Sequence, residues 1–280
     1  MNLGRETIVS LGTRLPPSLG VLGRLQSLLD DHDTDLEDIV ELVHIDPALT
    51  FQVIKLANSA LYGLRSRCES LDDAVARVGF GDIHQIVGLA VSRQSFQGEL
   101  AVYDIAGGRL WENAVAAATL ASAFAELSGA DPRNAYATGL LRNIGKVVLN
   151  NYAPHVRYPG EGVASDVHAW EKHQHGFSAA EVSAVLLEHW RFPPEMVGAV
   201  CTHRSPQDGA EFVSGAARLH LACSVLAEWG CYLPGESTGW QRDDAMLECA
   251  GISGDQVEGA IERARAQFAK FALLEWSHAA

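Results

Sequence analysis

The sequence of 280 residues predicts an all-α fold, and three observations support this prediction. Capping-box spacing, which marks the start of a helix, occurs at residues 34–37 (Thr-Asp-Leu-Glu) and 178–181 (Ser-Ala-Ala-Glu). Asp46 and Asp131 each precede a proline, the residue favoured at the first helical position. Alternating apolar and polar runs of the kind that predict strands are almost absent.

A central helix is predicted over residues 110–127. Small residues recur at its inward positions, which permits neighbouring helices to approach to about 8 Å. These positions are Ala114, Ala118, Ala121 and Ala125. A last helix with an apolar stripe at helical spacing is predicted to close the core. The stripe consists of Val257, Ile261, Ala264, Phe268 and Phe271.

Two stretches rich in glycine or proline divide the helical pattern. Residues 97–108 hold three glycines and predict a boundary between two lobes. Residues 152–165 hold two prolines and two glycines and predict a connection between helices. We therefore expect two helical lobes.

The composition limits the classes of partner. A net charge of −14 repels phosphate backbones and anionic lipids, and no local basic patch is visible in the sequence. No segment reaches the roughly 20 apolar residues of a membrane span, and no secretory signal is visible, so a cytoplasmic location is expected. The five cysteines form no Cys-x-x-Cys pair and are expected to be buried, reduced thiols.

Residues 35–59 predict two helices joined by a tight turn at Ile45-Asp46-Pro47, as in a DNA-binding helix-turn-helix. Residues 30–46 hold eight acidic side chains and no Lys or Arg, and the second helix offers only Lys55. A helix that reads DNA needs cations and amides on its exposed face. Scaffolding is therefore the preferred interpretation of this helix pair.

Histidines cluster between residues 168 and 189, which raises the hypothesis of a metal site. No Cys or carboxylate spacing completes such a site, and two of these histidines, His173 and His175, would face different sides of one helix. The histidines are therefore expected at the surface or in loops.

Several separate motifs carry a family resemblance. The stretches that begin at Leu15, His44, Ser70, Leu110 and Gly139 read LPPSLGVLGRLQSLL, HIDPALTFQVIKLANSALYG, SLDDAVARVGFGDI, LWENAVAAATLASAFA and GLLRNIGK. Together they resemble the HDOD domain, a bacterial signalling module related to the HD phosphohydrolases.

The resemblance covers roughly residues 10–230 and implies a two-lobed helical HDOD/HD-like bundle. The N-terminal helical lobe would span about residues 10–96, and the HD-like lobe about residues 109–230. Residues 231–280 would form C-terminal helices that pack on the HD-like lobe. Asn58 and Ser59, in the second motif, are expected to satisfy backbone groups at a helix end.

The resemblance also assigns the metal positions of the parent HD family. Its first histidine falls on Asn113, its His-Asp pair on Arg142 and Asn143, a later histidine on Ala179, and its final aspartate near Cys223; one histidine is retained as His203. A guanidinium supplies no donor atom to a dication, so no metal and no cofactor are expected. Asn113, Arg142, Asn143 and His203 remain candidates for a pocket that binds a ligand.

Arg142 is predicted to replace the metal as a fixed positive charge. It would pair with a carboxylate from Glu112, Asp166 or Glu171, and would tie a helix of residues 132–150 to its neighbours. The simpler alternative is that the Arg142 side chain is exposed to solvent.

The resemblance implies a non-enzymatic signal-transduction or regulatory domain, associated with response regulators, that binds a protein partner or a small ligand. Nucleic acid and membrane are not expected as partners. One alternative is a metal-dependent HD-type phosphohydrolase acting on nucleotides, which would need a different ligand set, for example one that uses His168, His173 or His203. A second alternative is a nucleic-acid-binding regulator that uses residues 35–59.

Overall fold

The computed structural model describes residues 3–59, 61–160, 166–206 and 211–272. These residues form helices joined by loops, which confirms the all-α prediction. Their one β pairing is an isolated antiparallel bridge between Leu100 and Ile105. The first six helices are α1 (Arg5–Gly12), α2 (Ser18–Asp30), α3 (Leu36–His44), α4 (Pro47–Ala57), α5 (Leu71–Val78) and α6 (Phe80–Phe96).

The remaining helices follow the loop of residues 97–108, where a boundary was predicted. They are α7 (Arg109–Leu127), α8 (Pro132–Leu141), α9 (Ile144–Tyr152), α10 (Val167–His175), α11 (Ala179–His189), α12 (Pro194–Thr202), α13 (Val213–Glu228), α14 (Asp244–Ala250) and α15 (Gly254–Ala272). The predicted connection at residues 152–165 lies between α9 and α10, and residues 161–165 are outside the described residues.

Helices α2 to α6 pack on one another, with side-chain caps at several of their starts. Asp46 caps α4 by accepting from Ala48 N at 2.9 Å and Leu49 N at 3.1 Å, as the Asp-Pro signal predicted. The capping box of α3 is formed by Asp35 and Asp38, so the prediction for residues 34–37 was wrong by one residue. The box at Ser178 and Glu181 is confirmed at the start of α11.

Helix α7 is the centre of the molecule, as predicted. Its four inward alanines are at most 2% exposed, and α8, α13 and α15 pack around it. A Cβ atom added to Gly139 of α8 would lie 2.7 Å from the backbone of Ala117, which shows how closely α8 approaches α7. Four stripe residues of α15 are buried and Phe268 is partly buried, as predicted.

The predicted single helix over residues 132–150 is wrong, because the chain breaks at Arg142 and Asn143 between α8 and α9. Ser183 of α11 explains the break. Its hydroxyl donates to the Arg142 carbonyl oxygen at 2.8 Å and accepts from Gly145 N at 2.9 Å. These hydrogen bonds satisfy backbone groups at the break and fix the Arg142 backbone against α11.

Helix α1 packs on α9 and α11, and α14 packs on α13.

Cys68, Cys223 and Cys231 are buried free thiols as expected, but Cys201 is exposed and Cys249 is half-buried. Cys201 lies on the outer side of α12, where the neighbouring helices leave it uncovered. None of the described helices combines the length and the apolar character needed to cross a membrane.

Candidate functional site

The four candidate residues are all buried. Asn113 lies on α7, Arg142 and Asn143 form the break between α8 and α9, and His203 follows α12. Each side chain is at most 2% exposed. A ligand therefore cannot touch any of them in this conformation.

Arg142 forms an ion pair, and its partner is Glu236. The Arg142 Nη2 atom lies 3.1 Å from Glu236 Oε2, and both side chains are 1% exposed. Glu236 belongs to the loop between α13 and α14, 94 residues along the chain from Arg142. The buried carboxylate partner exists, but the three candidates predicted for it were wrong.

The rejected candidates have other roles. Glu112 pairs with Arg109 three residues away on α7, at 2.6 Å. Asp166 caps α10 by accepting from His168 N at 2.9 Å. Glu171 lies near the site but pairs with a different cation.

That cation is Lys146, which sequence reasoning missed. Lys146 Nζ lies 3.2 Å from Glu171 Oε1 and 3.1 Å from Glu236 Oε1, and all three side chains are at most 1% exposed. The ammonium also sits 4.5 Å from the centre of the Tyr103 ring, within the range of a cation–π contact. Glu171 Oε2 accepts from Ala179 N at 2.7 Å.

Two cations and two carboxylates thus form a closed set, here called the ion cluster: Arg142, Lys146, Glu171 and Glu236. Their formal charges sum to zero. A buried charge is costly unless it is paired and hydrogen-bonded, and in this cluster each charge has an opposite charge within 3.2 Å.

The pKa shifts follow from this pairing. Burial alone would raise the pKa of Glu236, but Lys146 and Arg142 outweigh it and hold that pKa well below its usual range. Burial alone would lower the pKa of Lys146, but Glu171 and Glu236 raise it above its ordinary value. Burial dominates at Glu171 and raises its pKa. Glu236 is therefore the carboxylate most firmly held in its charged form.

Two asparagines also lie against the Arg142 guanidinium. Asn113 Oδ1 accepts from Arg142 Nη2 at 2.9 Å, and Asn113 Nδ2 donates to the Cys231 carbonyl oxygen at 2.7 Å. The Asn143 amide lies 3.2 Å from both Arg142 Nη atoms and from Asn113 Oδ1. With its oxygen toward the guanidinium, Asn143 accepts from both Nη atoms. An amide oxygen suits this place because it stabilises a cation without adding charge.

His203 stands beside the ion cluster as a neutral ring. Its ring is stacked on Trp240 with centroids 5.9 Å apart, and its Nδ1 lies 2.8 Å from the Val200 carbonyl oxygen. Nδ1 therefore carries the proton, and Nε2 has no hydrogen-bond partner among the described residues. Burial and the charge of Arg142 lower the pKa of His203 to about 3.

The expectation of surface histidines was wrong for His168 and His175, which are buried, and fits His173 and His189, which are exposed. The ring of His168 lies 6.5 Å from that of His203, and its Nδ1 lies 3.8 Å from Glu171 Oε2. Burial lowers the pKa of His168 well below its usual range. The short helix α10 is mostly polar, so its sequence gave no signal of this burial.

The residues present do not fit a divalent metal. Arg142 brings a positive charge, and the one amide oxygen of Asn113 already accepts from it. Both oxygens of Glu236 face cations, and burial raises the pKa of the Cys223 thiol to about 11, so Cys223 is a neutral thiol. Among the described ranges, no three His, Cys, Asp or Glu side chains are arranged to hold a metal.

Two of the three histidines suggested as alternative ligands for a phosphohydrolase lie near each other. His168 and His203 face each other, but His173 is exposed on the other side of α10. A pocket of about 540 Å³ opens outside His168 between α10, α11 and α12, and Lys172 and Arg204 lie on its wall. The ion cluster lies behind His168 and is not part of that wall.

Comparison with solved structures shows the fold. A candidate phosphohydrolase from Shewanella amazonensis is 24% identical with a TM-score of 0.68, covering 94% of this chain and 96% of that one. A candidate signal transduction protein from Marinobacter aquaeolei is 24% identical with a TM-score of 0.75, covering 95% of this chain and 59% of that one. An HDOD domain protein of unknown function from Geobacter sulfurreducens is 22% identical with a TM-score of 0.59. The match covers 96% of this chain and 99% of that one.

One curated relative is an uncharacterized protein of Treponema pallidum, 25% identical over 255 residues. The match covers 86% of this chain but only 47% of the relative, so this chain spans about half of that protein's length. Residues 15–206 match the family model described as the HDOD domain. Since this match includes most of the chain, the protein belongs to the HDOD domain family.

Proposed function

We propose that this HDOD domain is a non-enzymatic signalling and regulatory domain of a bacterial cytoplasm, and that it acts by binding a partner protein. The ion cluster is the observation that supports the proposal. The family resemblance assigns Arg142 to a position where an HD enzyme would hold its metal, and in the structure its charge is balanced by Glu236 at 3.1 Å. Without a metal there is no activated water and no route to HD-type hydrolysis.

A protein partner is preferred over a small ligand at the remnant site. The four candidate residues are closed to solvent, so a ligand would have to open the ion cluster and strand buried charges. A partner that docks on the outer helices avoids that cost. Signalling is supported by the family and by the Marinobacter neighbour, which is described as a candidate signal transduction protein.

The division of the chain is part of the proposal. Residues 10–96 and 109–230 would be the two lobes of the HDOD domain, and residues 231–280 would pack on the second lobe. The packing of α14 on α13 and of α15 on α7 supports this division. Helix α1 departs from it at the start, since residues 5–12 lie on α9 and α11 of the second lobe.

Hydrolysis and partner binding are tested separately. Purified protein with added Mn²⁺, Zn²⁺, Fe²⁺ or Mg²⁺ should hydrolyse nucleotides and cyclic dinucleotides no faster than the His203→Ala variant. Turnover that His203→Ala abolishes would establish the phosphohydrolase alternative.

Cross-linking in cells of the source organism, followed by reciprocal binding of the purified pair, should yield a specific protein partner.

The DNA-binding alternative makes a distinct prediction. Helix pair α3–α4 exists as predicted, but α3 carries Glu37, Asp38 and Glu41 and contains no Lys or Arg. Duplex DNA should bind no better than the non-specific level of about 10⁻⁴ M at physiological salt. Micromolar binding that weakens with salt and is lost in Lys55→Ala would support the regulator that binds nucleic acid.

A further inference from the structure

Two large apolar side chains are exposed next to the turn between α3 and α4. Ile45 is 67% exposed and Phe51 is 64% exposed, the highest values among the large apolar residues described. Single exposed apolar residues are normal on a protein surface. These two flank the same turn, however, and Phe51 continues into a groove.

The groove lies between α4 and the loop of residues 61–69. Phe51, Ile54 and Leu64 form its apolar part, and Lys55, Arg65 and Arg67 bring three cations to it. The groove encloses about 1290 Å³ and includes one carboxylate, Glu69. The expectation of no basic patch was therefore wrong, because the loop folds back and places Arg65 and Arg67 beside Lys55.

The groove is preformed. The Asn58 side chain donates to the Cys68 carbonyl oxygen at 2.9 Å and accepts from Cys68 N at 2.7 Å, which fastens the loop to the end of α4. Arg77 of α5 donates to the Ser66 carbonyl oxygen at 3.2 Å and holds the middle of the loop. A rigid surface of this kind loses little entropy on binding.

An acidic row runs up to the same turn from the other side. Glu37, Glu41 and Ile45 are spaced four residues apart and are all exposed, so they share one face of α3. Neither carboxylate forms a salt bridge with another residue in the described ranges. Along the chain, the exposed carboxylates of α3 lead to Ile45, and the exposed Phe51 of α4 lines the basic groove.

We propose that this surface binds a second copy of the chain about a two-fold axis near Phe51. In such a dimer the apolar residues of the two copies meet at the centre. The acidic row of each copy faces the basic groove of the other, so the charge complementarity is used twice. A two-fold interface requires one self-complementary patch, and this chain carries both the acidic row and the basic groove that such a patch needs. The proposal is independent of the proposed non-enzymatic function.

The dimer is expected to be weak and concentration-dependent. Its apolar centre is small compared with the roughly 800 Å² per partner of a stable interface. Each copy also carries a net charge of −14, which repels the other copy at long range. Association at micromolar or higher protein concentration is therefore expected.

Sedimentation velocity over a range of protein concentrations tests the proposal. The wild type should pass from monomer to dimer, and Arg65→Glu/Arg67→Glu and Glu37→Lys/Glu41→Lys should each weaken the dimer at least about tenfold, because like charges then face each other. An equimolar mixture of the two variants should restore a heterodimer. Arg14→Glu/Arg157→Glu, an equal charge change at exposed residues elsewhere, should leave the dimer unchanged.

Three results would overturn the proposal: a wild type that stays monomeric at all concentrations, a dimer that tolerates Arg65→Glu/Arg67→Glu, or a mixture of the two folded variants that stays monomeric. Circular dichroism checks folding. If Glu37→Lys weakens the start of α3, Glu41→Lys alone replaces the double variant. Phe51→Ser should also weaken the dimer without unfolding the chain, since this side chain is mostly exposed.

Discussion

The guanidinium of Arg142 and the carboxylate of Glu236 lie 3.1 Å apart with both side chains 1% exposed. This pair joins the break between α8 and α9 to the loop between α13 and α14. Lys146 binds the other oxygen of the same carboxylate at 3.1 Å, so Glu236 is shared by two cations from one segment of the chain. The loop that carries Glu236 is thereby fixed against α8 and α9.

Arg142→Met should destabilise the protein by about 3–5 kcal/mol, because it removes one partner of a buried pair and leaves the cluster with excess negative charge. Adding Glu236→Gln should recover part of this loss, since Lys146 and Glu171 then remain as a balanced pair. Urea melts of the wild type, both single variants and the double variant measure the coupling. A loss under about 1 kcal/mol for Arg142→Met would mean a solvated side chain. Strictly additive losses would show that the two residues are not coupled.

Lys146→Met should cost about 3–5 kcal/mol for the same reason, since the buried carboxylate of Glu171 would lose the ammonium that it pairs with. Lys172→Met is the matched control. Lys172 lies 3.0 Å from Glu181 but its side chain is 56% exposed, so its loss should cost at most about 1 kcal/mol. Denaturant melts of the two variants give the comparison, and equal losses would contradict the closed ion cluster.

The free energy of unfolding should fall as the pH is lowered, and His203 should contribute to this fall. Its pKa is lowered from 6.5 to about 3 in the folded chain, so the unfolded chain takes up this proton first. The stabilisation is complete above pH 6.5 and is lost between pH 6.5 and about 3, at roughly 1.4 kcal/mol per pH unit. His203→Gln should reduce the slope of unfolding free energy against pH by about that amount. An unchanged slope would mean that this ring titrates normally.

The close contact of α9 with α11 should show in a pair of glycine variants. A Cβ atom at Gly145 would lie 2.0 Å from the Ala179 carbonyl oxygen, so Gly145→Ala should cost at least about 1–3 kcal/mol. A Cβ atom at Gly20 of α2 meets nothing within 4 Å, and Gly20→Ala should stabilise by about 0.5–1 kcal/mol. Thermal melts of both variants check this, and a neutral Gly145→Ala would mean that the helices can separate.

Local chemistry made much of the fold predictable. Asp46 caps α4 because a carboxylate before a proline suits a helix start, and the small residues of α7 mark close packing. The ion cluster was harder to predict from the sequence. Glu236 sits in a loop 94 residues from Arg142, and no local pattern links the two. Residues 132–150 have a continuous helical pattern, but the helix breaks at Arg142 and Asn143, where the Ser183 hydroxyl of another helix bonds to the backbone.

The basic groove and the buried histidines were also not predictable from local sequence patterns. Arg65 and Arg67 are scattered among polar residues, and the bonds of Asn58 to Cys68 and of Arg77 to Ser66 hold their loop in the groove that Lys55 also lines. His168 lies on a short polar helix, and its burial comes from the neighbouring elements. Such contacts arise from tertiary structure, so the sequence pattern of one segment does not reveal them.

The metal content of the purified protein tests the central claim most directly. We propose that the Arg142–Glu236 ion pair occupies the position at which HD enzymes hold their metal, so elemental analysis should find far less than one Zn, Mn, Fe or Mg per chain. Supplying these metals during expression should not change that result, and His203→Ala should give the same values as the wild type. About one metal per chain in the wild type, lost in His203→Ala, would contradict the account.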